Sequence, residues 1–121
     1  MKSIFIMMFL SRLFFGHDIQ NSGKIEVLDV MTFKKSIINK QVQLVDVRTL
    51  KEYENGHIEG AINIDFFQRD VFEASFNKLN KELPVYIYCR SGGRSKVTAR
   101  RLIKIGFTKI YDLKGGYLVW K

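Results

Sequence analysis

The sequence predicts one α/β domain in which a mostly parallel sheet carries helices on both faces. Three observations lead there. The chain has 121 residues, enough for one domain with a real core and too few for two. Short β-branched or alternating runs take turns with longer helical patterns along most of its length. The strongest of these runs, Val85-Tyr86-Ile87-Tyr88, is apolar at every position, as expected of a strand covered on two sides.

The elements follow in order. Asn21-Ser22-Gly23 is a loop signal, and Ile25-Glu26-Val27-Leu28 alternates as a short strand. Asp29 can cap a helix running to about Asn39, with Met31, Phe33, Ile37 and Ile38 as its apolar residues. Val42 to Val47 is a second strand. Thr49 with Glu52 three residues later forms a capping box, opening a short helix that Asn55-Gly56 ends. Ala61 to Ile64 is a third strand, and residues 66–80 read as a helix or loop-helix carrying five apolar residues. Pro84 precedes the strand Val85–Tyr88. A helix from about Arg94 to Ile105 places Ala99, Leu102, Ile103 and Gly106 on one apolar or small face. Lys109 to Leu113 is the last strand, and Gly115-Gly116 turns into a short segment ending at Trp120.

Composition excludes several classes. Hydrophobic residues make up 46% and charged residues 26%, with one proline and nine glycines, which rules out a disordered or fibrous chain. The net charge of +8 is spread along the chain, and no zinc-finger spacing, helix-turn-helix cue or RNA-binding motif accompanies it, so no nucleic-acid partner is expected. A single cysteine forbids intramolecular disulfides and a Cys-rich metal site.

Residues 1–23 are set apart from the domain, which is expected over 24–121. One Lys precedes an apolar run from Ile4 to Leu10, the shape of a short secretory signal. Arg12 interrupts it, no small-x-small cleavage site follows, and the run is too short to span a bilayer. Membrane contact, if any, runs through residues 1–15, and whether the protein is cytoplasmic or periplasmic depends on whether residues 1–20 act in export. An unpaired thiol is safer from overoxidation in a reducing compartment.

The chemistry concentrates after Tyr88. In open α/β sheets, ligands bind beyond the carboxyl ends of the strands. Cys89 stands at such an end, followed by Arg90, Ser91, Gly92, Gly93, Arg94 and Ser95, and then a helix. A thiol acts as nucleophile only as thiolate. A helix start offers free N–H groups and a positive dipole end, the glycine pair lets the loop curl into an anion nest, and Arg90 and Arg94 add charge. Ser91 and Ser95 can donate to the same anion. Everything here favours Cys–S⁻, and equally the outer sulfur of Cys–S–S⁻.

This loop resembles the active-site loop of the rhodanese family. Asp46-Val47-Arg48 followed by Glu52-Tyr53 resembles the family's acidic-Val-Arg segment, Gly56-His57-Ile58-Glu59-Gly60-Ala61 its Gly-His-Ile…Gly-Ala stretch, and Gly115-Gly116 with Trp120 its C-terminal Gly-Gly…Trp. The match covers about residues 25–121. The resemblance implies a rhodanese fold with a five-stranded sheet. It implies Cys89 as the persulfide-forming residue, with the backbone amides of Arg90 to Ser95 cradling the sulfur. Asp46, Arg48 and His57 would be mainly structural. The implied function is a sulfurtransferase that takes sulfur from a donor such as thiosulfate and gives it to a thiol acceptor, small or protein, with no metal or organic cofactor. One rival is a sulfur carrier or protein-binding module of the same fold without turnover. Another is a cysteine phosphatase or arsenate reductase; that loop needs five residues between Cys and Arg, whereas four separate Cys89 from Arg94. Lys96, Arg100, Arg101 and Lys104 follow the loop, either as a dock for an anionic partner or as a solvated helix face.

Overall fold

The computed structural model describes residues 23–121. The apolar N-terminal segment singled out above lies outside them. The element order is β1 (Lys24–Leu28), α1 (Val30–Ile37), β2 (Gln43–Asp46), α2 (Leu50–Glu54), β3 (Ile62–Asn63), α3 (Arg69–Phe76), β4 (Val85–Tyr88), α4 (Gly93–Lys104), β5 (Lys109–Leu113) and α5 (Tyr117–Trp120). The five strands form one sheet in the order β1-β5-β4-β2-β3, and every pairing is parallel. None of the helices in these residues is long and apolar enough to cross a membrane.

Side-chain alternation in β4 shows how the sheet is covered. Val85, Ile87 and Cys89 point to one face, where they meet Phe72 and Phe76 of α3, Ala99 and Leu102 of α4, and Phe107. Tyr86 and Tyr88 point to the other, against Phe33 and Ile37 of α1, Ile58 and Leu113, with Tyr117 and Trp120 of α5 at the edge. Two cores thus sandwich one sheet, which explains a central strand with no polar residue.

Several boundaries differ from the sequence reading. The segment 66–80 yields a helix only over Arg69–Phe76. Before it, the chain still follows the edge of β2: the Ile64 and Phe66 N–H groups donate to Asp46 O and Val47 O. The Asp65 carboxylate then accepts from Phe67 N–H at 2.8 Å, a turn that delays the helix. α1 stops at Ile37 because Ile38 turns extended at ψ 133°, and Asn39 follows in the left-handed region at φ 56°. Within it, Phe33 and Ile37 are buried while Met31 and Ile38 are exposed. The inner face of α4 is Ser95, Thr98, Ala99 and Leu102, shifted towards the helix start relative to the expected stripe. Ile103 is only partly buried, and Gly106 ends the helix with φ 107°.

The strand order places the site. From β2 the chain steps outward to β3 at one edge, then returns to the opposite side of β2 as β4. The crevice between β2 and β4, at their carboxyl ends, is a topological switch point. Asp46-Arg48 leaves one wall of it and Cys89 the other.

Candidate active site

Cys89 directly follows β4, is 1% exposed, and is sheathed by its own loop. Gly92 N–H points at Cys89 Sγ across 3.0 Å, and the thiol lies 3.5 Å from Ser95 Oγ. Gly92 is the N-cap of α4 with φ 118°, a conformation costly for any side chain, and this turn is what brings its amide onto the sulfur. The Ser95 hydroxyl also lies 3.2 Å from Gly92 O, tying the first turn of α4 to the loop.

The loop's outer side is held by α5. Tyr117 N–H donates to Cys89 O at 2.8 Å and Leu118 N–H to Arg90 O at 3.1 Å. In a planar trans peptide, N–H and C=O point in opposite directions. Carbonyls drawn outward to α5 therefore turn the Arg90 and Ser91 N–H groups inward, to the space the loop encloses. Gly116, which begins this contact, sits so close that a Cβ there would lie 2.4 Å from Arg90 O and 2.6 Å from Cys89 O. The role of the Gly115-Gly116 turn as a clamp on the cysteine loop was not read from the sequence. Its signal is the glycine pair one residue beyond β5, at the same sheet end as Cys89.

The charges are arranged differently from the expectation. Arg94 does not present a free guanidinium to the sulfur. It grips Glu52 with both nitrogens, Nη1 to Oε1 at 2.7 Å and Nη2 to Oε2 at 3.0 Å. Glu52 simultaneously closes the capping box of α2, accepting from Thr49 N–H at 3.0 Å. The Arg94 bond holds the Glu52 carboxyl down to about 2, with the Thr49 amide assisting against burial. The sequence reading placed Glu52 in a cap and missed it at the site. The available clue was that α2 and α4 both start at the carboxyl end of adjacent strands. Arg90 and Ser91 are exposed, and neither side chain bonds to the sulfur among the described residues.

Because the Glu52 carboxyl is depressed in the fold, the pair stabilises fully above the unfolded carboxylate range and is lost as pH falls towards 2. Glu52→Gln is expected to cost about 1 kcal/mol at neutral pH, given the pair's partial exposure. In parallel urea melts the difference between the two proteins should close at acid pH; a constant gap would disprove the assignment.

The remaining sequence candidates divide clearly. Asp46 and Arg48 form a buried ion pair at 2.6 Å, and Arg48 also donates to Gly56 O at 2.7 Å. His57 stacks on Tyr53 at 3.7 Å and its Nδ1 lies 2.8 Å from Tyr53 O, so that nitrogen carries the proton. It is exposed and committed to the end of α2, a structural position as expected. Of the basic residues on α4, Arg101 is half-buried over the rings of Phe66 and Phe72, so only Lys96, Arg100 and Lys104 form an open face.

Comparison with known proteins fits this geometry. The Rhodanese-like domain family model matches residues 29–121. The chain belongs to the rhodanese-like domain family. Among curated relatives of this rhodanese-like chain, YqhL of Bacillus subtilis is 43% identical over 81 residues, 67% of this chain and 62% of that protein. YrkF of the same organism, whose name proposes a sulfur-carrier role, is 32% identical across 86% of this chain and 55% of its own length. The chain thus spans a little over half the length of these two relatives. The thiosulfate sulfurtransferase GlpE of Coxiella burnetii is 33% identical over 68% of this chain and 74% of its own. The crystal structure of a rhodanese-like domain protein from Staphylococcus aureus superposes with a TM-score of 0.70 at 30% identity, covering 79% of this chain and 91% of that one.

One buried group stands out beside the rhodanese loop. Asp112 in β5 is 4% exposed, and burial pushes its carboxyl up to about 6. A carboxyl raised in the fold contributes stability below its unfolded range that is lost as pH rises through about 6. Asp112→Asn is therefore expected to raise stability by about 1–3 kcal/mol at slightly alkaline pH, with the gain vanishing below about pH 4. Urea midpoints at the two pH values test this; equal gains at both would refute it.

Proposed function

We propose that this chain is a sulfurtransferase in which Cys89 carries the sulfur as a persulfide. The observation that supports this most is the Gly92 N–H directed at Cys89 Sγ across 3.0 Å, within a loop whose outer carbonyls are taken up by α5. Such a cradle is matched to an anion of one or two atoms on the cysteine.

In the first half-reaction the Cys89 thiolate attacks the outer sulfur of thiosulfate. A new S–S bond forms, the old S–S bond breaks, and its electron pair leaves with sulfite. Charge is conserved: one thiolate becomes one persulfide anion. No general acid is required, because sulfite leaves readily as an anion. In the second half-reaction a thiophile attacks the outer sulfur and the Cys89 thiolate returns. The inward amides of the loop serve the anion in either form, so sulfur loading costs little reorganisation. With Cys89 sheathed, a donor must present a slim terminal sulfur end-on.

The phosphatase and arsenate reductase alternative fits poorly with Arg94. Both of its terminal nitrogens are engaged by Glu52, and a tetrahedral oxyanion would have to compete with that carboxylate. The carrier alternative uses the same persulfide and is favoured by the relationship to YrkF. Steady-state turnover with thiosulfate and a thiol distinguishes enzyme from carrier.

The direct experiment is intact mass after incubation with thiosulfate. The wild type is expected to gain one sulfur mass, removable by cyanide or dithiothreitol, while Cys89→Ser gains none. Absence of the adduct with thiosulfate and with persulfide donors alike would defeat the proposal.

A further inference from the structure

Glu52 makes more contacts than its helix requires. In the capping box of α2 its Oε1 accepts from Thr49 N–H at 3.0 Å and from Thr49 Oγ1 at 3.1 Å. A glutamine serves a capping box as a glutamate does, so the cap alone does not call for a charge. The charge goes to Arg94, whose two terminal nitrogens meet Oε1 at 2.7 Å and Oε2 at 3.0 Å in a bidentate pair. Phe67 holds the same guanidinium from another element, with its ring centre 5.7 Å away.

The pair stands beside the sulfur. Arg94 lies in the first turn of α4, between Gly92, whose N–H is 3.0 Å from Cys89 Sγ, and Ser95, whose Oγ is 3.5 Å from it. Its Cα is one peptide step, about 3.8 Å, from that of Ser95. A long side chain starting there can turn to a donor seated on the sulfur once Glu52 releases it. The neighbouring cations are placed differently. Arg48 is buried against Asp46 at 2.6 Å, while Arg90 and Lys96 are exposed to solvent. Arg94 is the half-buried cation of the loop, and Glu52 neutralises it.

We infer that Glu52 is a positioning residue that sets donor specificity: by holding Arg94 in the bidentate pair, it withholds that positive charge from the incoming donor and so favours sulfane-sulfur donors carrying one negative charge at most over dianions. This rests on the reading of Cys89 as the sulfur-bearing residue. Thiosulfate is the dianionic case, and remains a donor but a disfavoured one. Methanethiosulfonate offers the same terminal sulfur on a monoanion. The Cys89 thiolate attacks that sulfur, a new S–S bond forms, the donor S–S bond breaks, and its electron pair leaves with methanesulfinate. Two negative charges enter and two remain, on the Cys89 persulfide and the sulfinate. Freed from Glu52, Arg94 attracts a dianion twice as strongly as a monoanion at the same distance.

The test is the rate of sulfur loading on Cys89 in the full chain, followed by intact mass with thiosulfate and with methanethiosulfonate. The two leaving groups differ, so the reading is the ratio of the two rates compared between proteins. Glu52→Gln keeps the cap and frees Arg94; it should speed thiosulfate about ten-fold and methanethiosulfonate about three-fold, raising the ratio about three-fold. Arg94→Gln leaves the carboxylate unpaired and should lower the ratio. The double variant carries neither charge and should return it to near the wild-type value. A merely structural role would slow both donors alike and leave the ratio where it was. Thermal melts confirm folding, and if Glu52→Gln does not fold, Arg94→Gln decides. An unchanged ratio in a folded single variant would overturn the inference. Should no donor load Cys89, the reading of the cysteine fails, and alkylation by iodoacetate and iodoacetamide, which differ by one negative charge, still decides the selection by charge. Glu52→Gln should then raise the iodoacetate rate relative to iodoacetamide, and an unchanged relative rate would overturn the role of Glu52 as well.

Discussion

Gly116→Ala is expected to lower the melting temperature by about 10 °C or more and to reduce sulfur loading on the order of a hundred-fold. Two costs combine. Gly116 has φ 65° and ψ −158°, a region essentially reserved for glycine, where any side chain adds about 1–3 kcal/mol of strain. The added methyl would also meet Arg90 O and Cys89 O at 2.4 and 2.6 Å. These are backbone atoms and cannot swing aside. Relief requires α5 to lift from the loop, and then Tyr117 N–H and Leu118 N–H lose the Cys89 and Arg90 carbonyls. The peptides freed in this way no longer aim their N–H groups at the sulfur. Gly60→Ala is the control. Gly60 also has a positive φ, 89°, but nothing lies within 4 Å of the added methyl, so only strain is expected. A loss of stability in Gly116→Ala no greater than in Gly60→Ala, with normal persulfide yield, would show that the clamp is not needed.

The contrast between local and distant information explains what the sequence disclosed. The Thr49–Glu52 capping box and the Asp29 cap involve residues three apart, and both form as expected. The uninterrupted apolar run of β4 could only be a central strand, and the cysteine after it could only lie at the sheet's carboxyl end. What stayed hidden depends on the closed sheet. Glu52 meets Arg94 across 42 positions of sequence, and nothing in the capping box marks that second use of the carboxylate. The start of the helix over 66–80 is delayed by hydrogen bonds to the β2 edge together with the Asp65 turn. Asp112 is an unremarked residue of the last strand in the sequence; its burial follows only once β1 pairs outside β5 and α4 covers it. The local chemistry of Cys89 to Ser95 was legible because the loop is continuous; its support from α5 was not, because that support arrives only after a further helix and strand have intervened in the chain.

Removing the Arg48 side chain is the second substitution expected to act strongly. Arg48→Ala should cost about 3–5 kcal/mol, because it strands the Asp46 carboxylate in a site from which water is excluded. Asp46 is fully buried, and Arg48 reaches it through Nε and Nη2 at 3.0 and 2.6 Å. The backbone N–H of residue 48 would still donate to Asp46 Oδ1, at 2.9 Å in the native fold, but the compensating charge would be gone. Gly56 O would lose its donor too. Against a total stability of about 5–15 kcal/mol for a domain of this size, that is a large share. Arg48→Met paired with Asp46→Asn tests the cause, since removing both charges should destabilise less than the sum of the single changes. Strict additivity in urea titrations would mean that the pair is not coupled. The effect should also reach the cysteine loop. The Arg48 guanidinium lies 4.3 Å from the centre of the Tyr117 ring, and Tyr117 N–H holds Cys89 O. Arg48 thus braces α5 from beneath, and persulfide yield in Arg48→Ala should fall even under conditions where the protein remains folded. An ion pair far too buried to meet a substrate would then matter to sulfur transfer through the peptide it keeps turned outward.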